Sequence, residues 1–251
     1  MRRAFVSLAV LVLLATHAAH AGPKLTVFAA ADLAFAFKEI VPLFERATGA
    51  RVTLGVGSTG NFAHQIAAGA PADVFFAANE TFVDDLVARG HVVAETRTLY
   101  ARGRIVLATG RRVGTKLTDL RQLTGPDIRK IAIANPQHAP YGKAAEQALR
   151  AVGLWDTLTP KLVYGENVRH ALQFVQSGAA DAGIVALSVA NVAEIVWTPI
   201  EPSLHQPLNQ VAAVVRRSAV PQLGMAFIRF VNGPDARPIM KRFGFLLPGD
   251  F

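Results

Sequence analysis

The 251-residue chain contains no cysteine. That absence excludes disulfide cross-links, thiol catalysis, Cys-based zinc sites and lipid attachment through a terminal cysteine. Histidines are few and dispersed: His17 and His20 fall near the start, while His64, His91, His138, His170 and His205 are scattered and form no cluster at metal-ligand spacing. No G-x-S-x-G elbow occurs. Ser58, His64 and Asp73 include the residue types of a hydrolytic triad, but His64 lies only six residues from Ser58 on the following predicted helix, which leaves a hydrolase as a remote alternative. Beyond the N-terminal segment, no run approaches the ~20 apolar residues of a transmembrane helix. Aromatic and basic residues are not interleaved, and the arginine pairs at 111–112 and 216–217 stand in mixed charge, which argues against nucleic acid.

What is present begins with an export signal. Arg2 and Arg3 precede "AFVSLAVLVLLA" (residues 4–15) and an A-x-A site, Ala19-His20-Ala21. Removal of residues 1–21 is expected, leaving a soluble exported protein that, without disulfides, suits a bacterial periplasm. The formal charge of +8 includes Arg2 and Arg3; without those two, 24 of the 26 basic residues face 18 acidic ones, a net +6 that favours anionic partners only weakly. With 51% apolar residues, the chain can bury a substantial core as one large domain or two small ones.

From Lys24 onward, short apolar runs alternate with amphipathic segments, the pattern of an α/β protein with largely parallel sheets. Predicted strands are "KLTVFAA" (24–30), "RVTLGV" (51–56), "ADVFFAA" (72–78), "RIVLATG" (104–110), "KIAIAN" (130–135), "KLVYG" (161–165), "AGIVAL" (182–187) and "QVAAVVRR" (210–217). Leu33, Phe37, Ile40, Val41 and Phe44 recur at helical spacing up to a Thr48-Gly49 stop, with Pro42 expected to kink that helix or shift its boundary. Further helices are predicted over 61–70, 81–89, 142–152 and 168–176, and two in the tail broken at Asn232-Gly233-Pro234. Two lobes follow, residues 22–102 with 217–251 and residues 103–216, the chain crossing near 100–104 and again within 201–217.

Turns at the carboxyl ends of these strands are rich in small residues: "AAADL" (29–33), "GSTGN" (57–61), "NPQHAPYGK" (135–143) and "GENVR" (165–169). Ligands of open α/β sheets lie at those ends. Alone, "VGSTGNF" (56–62) reads as helix capping by Ser58, Thr59 or Asn61. Four such turns, two per lobe, read differently: their N–H groups converge on a compact anion, and each helix start adds a partial positive charge.

These turns sit in longer stretches, "TVFAAADL", "GSTGNFAHQIAAGAPADVFFAAN" (57–79), "IANPQHAPYGKAAEQAL" (133–149), "LWDTLTPKLVYGENVRHAL" (154–172) and the terminal "FGF" (243–245). In them the chain resembles the periplasmic molybdate-binding proteins of ABC transporters over essentially its whole mature length. The resemblance implies a two-lobed α/β periplasmic-binding-protein fold of type II with the ligand cleft between the lobes. It also implies a monomer without catalysis or cofactor, which holds molybdate or tungstate by neutral hydrogen-bond donors and delivers it to an inner-membrane ABC permease. Carried over by position, Ser58 donates through hydroxyl and backbone, with Thr59 in the same turn. Tyr141 and Val168 donate through backbone N–H, and Asn167 caps the helix of Val168.

Two positions depart from the family pattern. Asp32 stands where many relatives carry the serine of Ala-Ala-Ala-Ser-Leu, and Ala186, in Ala186-Leu187-Ser188, marks a strand end where many place a tyrosine hydroxyl. In relatives that carry Ser followed by Asp, Ala31 takes the serine's place. An ionised carboxylate about 4 Å from an oxyanion costs on the order of 1 to 4 kcal/mol. Asp32 is therefore expected to cap its own helix; the sharper alternative has its carboxylate accept a proton from an anion such as hydrogen phosphate. Phosphate, sulfate or a small carboxylate stay open as ligands.

Overall fold

In a computed structural model, which describes residues 22–111 and 116–251, ten strands form two five-stranded sheets. The expected export signal and Arg112 lie outside the described residues. The first sheet contains β1 (Lys24–Ala30), β2 (Arg51–Gly57), β3 (Val74–Ala77), β4 (Thr98–Gly103) and β10 (Leu208–Val214), in the order β2-β1-β3-β10-β4. The second contains β5 (Ile105–Gly110), β6 (Ile131–Ala134), β7 (Leu162–Gly165), β8 (Ala182–Ala186) and β9 (Ile195–Pro199), in the order β7-β6-β8-β5-β9. Helices α1 (Ala34–Thr48), α2 (Thr59–Ala67), α3 (Glu80–Ala88), α8 (Pro221–Val231) and α9 (Arg237–Arg242) serve the first lobe. Helices α4 (Pro140–Ala151), α5 (Trp155–Leu158), α6 (Val168–Ser177) and α7 (Leu187–Ala190) serve the second.

Both sheets are mixed rather than largely parallel. β1 runs parallel to β2 and β3, and β6 parallel to β7 and β8, but β10 and β5 are antiparallel to their neighbours. The cause is the double crossing: β10 re-enters the first sheet, and β5 enters the second, from the side of the hinge. Strand β10, expected in the second lobe, belongs to the first, so the return crossing lies between β9 and β10, at residues 200–207, at the start of the expected stretch 201–217, and the lobe boundary moves from 217 back to it. Its apolar residues explain the placement, because Val211, Ala212, Ala213 and Val214 are all fully buried between β3 and β4. The outward crossing is a single residue, Arg104, between β4 and β5.

Helix α1 buries Phe37, Ile40 and Phe44 and ends at Gly49, whose φ of 71° is readily reached without a Cβ. It continues through Pro42. The carbonyl that loses its partner there belongs to Lys38, on the solvent-exposed side of the helix. Against this face an aromatic cluster sets the first core, with Phe227 in edge contact with Phe37, Phe44 and Phe76, at centroid distances of 5.5, 4.9 and 5.5 Å. Among the described residues no helix is long and apolar enough to cross a membrane.

Candidate functional site

The carboxyl ends of β1, β2, β6 and β7 meet around one cavity. Its wall is formed by Ala30, Ala31 and Asp32 after β1, by Gly57, Ser58 and Thr59 after β2, by Ala78, by Ala139, Pro140 and Tyr141 at the start of α4, and by Asn167 and Val168 at the start of α6. The space is narrow, so it suits a compact solute and no extended substrate. Seven of the eight expected site residues share this wall; Ala186 does not. At its strand end the side chain turned to the cleft is Ser188, whose hydroxyl donates to the Asp32 carbonyl at 2.9 Å.

Helix geometry supplies the donors. The first N–H groups of any helix have no intrahelical acceptor. At α6 the Asn167 side chain accepts from Arg169 N–H and His170 N–H, both at 3.0 Å, and leaves Val168 N–H over. At α4, Pro140 occupies the first position and has no N–H in need of an acceptor, and Tyr141 N–H follows. No Lys or Arg lines the wall, so any anion held here relies on neutral donors and helix-end partial charges.

Cross-lobe hydrogen bonds hold the cleft shut. The Ser58 hydroxyl donates to the His138 carbonyl at 2.7 Å and lies 2.8 Å from Nδ1 of the same residue. Gly60 N–H donates to that carbonyl at 2.9 Å, an approach a side chain would block, since a Cβ on Gly60 would lie 2.6 Å from the oxygen. The single Ser58 hydroxyl hydrogen is thus directed at His138 rather than at a ligand, contrary to expectation, because α4 brings that carbonyl within reach. Ser58 has no contact with His64 here, and Asp73 bonds Thr26 N–H and the Ser218 hydroxyl, so no triad assembles.

Asp32 does not cap its helix. Neither the turn at residues 31–33 nor α1 has a side-chain cap. Fully buried, its Oδ2 accepts from the Tyr141 hydroxyl at 2.9 Å and from Nε2 of Gln210 at 2.6 Å, while Nε2 also donates to the Tyr141 oxygen at 2.9 Å. Oδ1 of Asp32 and Oε1 of Gln210 are buried without a partner. Burial pushes the carboxyl up from 3.8 to about 6, against the opposing pull of these two donors and of the nearby backbone N–H groups of Asp32 and Leu33. Burial and the Asp32 charge push the Tyr141 phenol well above its usual value, which keeps it a donor. Gly103 makes room for this arrangement: a Cβ there would fall 2.1 Å from the Tyr141 hydroxyl oxygen.

Gln210 and His138 were not among the expected site residues. Gln210 left a sequence signal, a lone amide in the apolar strand "QVAAVV", whereas His138 reads as a rim residue until its carbonyl is seen to bridge the lobes.

Two α/β lobes joined by two crossings and shut over a small cavity at their strand ends define a two-lobed ligand receptor. The chain belongs to the bacterial extracellular solute-binding proteins, a family that matches residues 25–246. It is similar to the molybdate-binding protein ModA of Rhodobacter capsulatus, at 34% identity over 83% of this chain and 82% of that one. A putative ABC transporter substrate-binding lipoprotein of Bacillus subtilis is 29% identical, with 88% of this chain and 85% of the relative covered. The solved structure of the Azotobacter vinelandii periplasmic molybdate-binding protein aligns with a TM-score of 0.84 at 33% identity, over 89% of this chain and 99% of that one.

Proposed function

We propose that this protein is a periplasmic receptor that encloses one molybdate or tungstate ion between its lobes and hands it to an ABC permease. The carrying observation is a small cavity between the lobes at the starts of three helices, α2, α4 and α6, whose described lining has no Lys or Arg. A tetrahedral dianion matches such a set of neutral donors, because charge-assisted hydrogen bonds contribute about 1.5 to 3 kcal/mol each without a fixed cation beside the ion. In this reading the backbone N–H groups of residues 31–32, 58–59, 141 and 168 take the oxygens, and Asn167 acts through its cap on α6. The relatives named for molybdate support the choice of ion. The chain acts as a monomer after removal of residues 1–21, needs no cofactor, and the closed form is what the permease recognises.

Calorimetric titration of the mature chain with molybdate, tungstate, sulfate and phosphate at neutral pH tests the reading. Tight one-to-one binding of molybdate or tungstate, with sulfate and phosphate silent, is expected. Preference for phosphate or sulfate would move this receptor to another anion.

A further inference from the structure

Asp32 is the one carboxylate on the cavity wall, and its two oxygens are unequally provided for. Oδ2 receives both Tyr141 and Gln210, whereas Oδ1 is fully buried with no donor in hydrogen-bond geometry, the backbone N–H groups of Asp32 and Leu33 lying near the carboxyl without completing a bond to it. No cation offsets the charge. The ionisable groups nearest the carboxyl are the phenols of Tyr141 on α4 and Tyr100 on β4, both held neutral by burial. Helix α6, packed against the same turn, carries in its first turn Arg169, which lies over the Phe35 ring, and His170, whose Nδ1 accepts from Glu166 N–H. Helix α7 presents only Ser188, and the exposed Lys38 and Glu39 of α1 lie on its outer side. His138, bonded to Ser58, and Glu166, whose carboxylate accepts from Asn61 across the lobes, are the further titratable groups at the cleft.

A dianion entering this wall meets a buried carboxylate with one oxygen unpaired. Like charges that close repel strongly when water is excluded. A proton on the carboxyl removes the conflict, and the orphan oxygen is the one free to carry it, since the proton turns an acceptor without a partner into a donor on a residue of the cavity wall. We infer that Asp32 takes up a proton at Oδ1 when the oxyanion binds, so that capture of each ion is coupled to uptake of one proton and the carboxyl becomes part of the donor set. The proton leaves the buffer and bonds to Oδ1; the anion, fully deprotonated at neutral pH, stays unchanged. The inference rests on the oxyanion reading of this cavity. The raised affinity of the unliganded carboxyl for protons agrees with it.

The test is calorimetry of the mature chain with sodium molybdate at pH 7.5 in buffers of different ionisation enthalpy, which counts protons directly. Uptake approaching one proton per ion is expected, together with a Kd that rises about tenfold per pH unit above the titration of the free carboxyl. Asp32→Asn replaces the protonated carboxyl with a permanent donor and a retained acceptor toward Tyr141, so its uptake should vanish and its Kd should become flat with pH. Infrared difference spectra of the unmutated protein should gain a protonated-carboxyl band on addition of molybdate, a readout that survives even if the Asn variant does not fold. Tight binding without proton uptake or that band overturns the coupling alone, as does uptake that persists in Asp32→Asn. Absence of binding by all four oxyanions overturns the oxyanion reading as well.

Discussion

The Ser58 hydroxyl and the His138 carbonyl, eighty residues apart in sequence, meet at 2.7 Å across the cleft. One side chain thereby stands both on the wall of the cavity and in the contact that closes it. Ser58→Ala removes that bond and strands the His138 carbonyl with Gly60 N–H as its remaining donor. Molybdate affinity should fall by about 1 to 3 kcal/mol, as titration calorimetry would show; an unaltered Kd takes Ser58 out of the site.

Closure depends on a missing side chain at Gly60. A Cβ there would sit 2.6 Å from the His138 oxygen, too close for any real contact. Gly60→Ala should therefore leave each lobe folded but hold them apart, at a cost of about 1 to 3 kcal/mol in the closed state. X-ray scattering with saturating molybdate is expected to give a larger radius of gyration than the unmutated protein. Equal radii would mean that the His138 segment yields.

Asp32 makes stability depend on pH in a direction unusual for a carboxylate. Its folded value of about 6 exceeds its ordinary 3.8, so the folded state binds the proton more tightly. The stabilising contribution is complete below about pH 4 and is lost as pH rises through 6, amounting to roughly 2 to 3 kcal/mol in all. Asp32→Asn, which cannot ionise, should gain on the unmutated protein between pH 5 and pH 8 when urea midpoints are compared without ligand. A gap that does not change with pH counts against burial as the cause.

Phe227 offers a control remote from the cavity. It is fully buried and touches Phe37, Phe44 and Phe76 edge-on. Phe227→Ala should cost about 3 to 5 kcal/mol by leaving a cavity, seen as a lower urea midpoint. The protein that remains folded should bind molybdate as before; a matching loss of affinity would tie this core to the cleft.

The site was legible in sequence wherever it depends on local chemistry. Small residues after apolar runs mark the turns at 31–32, 58–59, 141 and 167–168, because strands ending in helix starts need caps and close backbone approach. What escaped depends on distant pairing. β4 and β9, at the ends of their sheets, carry the mixed stretches "TLYARG" and "IVWTP", which lack the apolar run of a central strand. The lobe of β10 is decided by its partners β3 and β4, more than a hundred residues earlier. Asp32 reads locally as a cap, yet its partners lie 109 and 178 residues away, and no local pattern records a hydrogen bond of that span.

The closed cleft also bears on time. Ser58 and Gly60 to His138, Asn61 to Glu166, Tyr141 to Asp32 and Ser188 to the Asp32 carbonyl all join one lobe to the other. None of these bonds belongs to the cargo, yet each must break before the lobes can separate. Escape of a bound ion is then timed by the opening of the lobes, and residence is set in part by bonds in which the ion takes no share. A permease that prises apart even a few of these bonds would shorten that residence without competing for the ion itself.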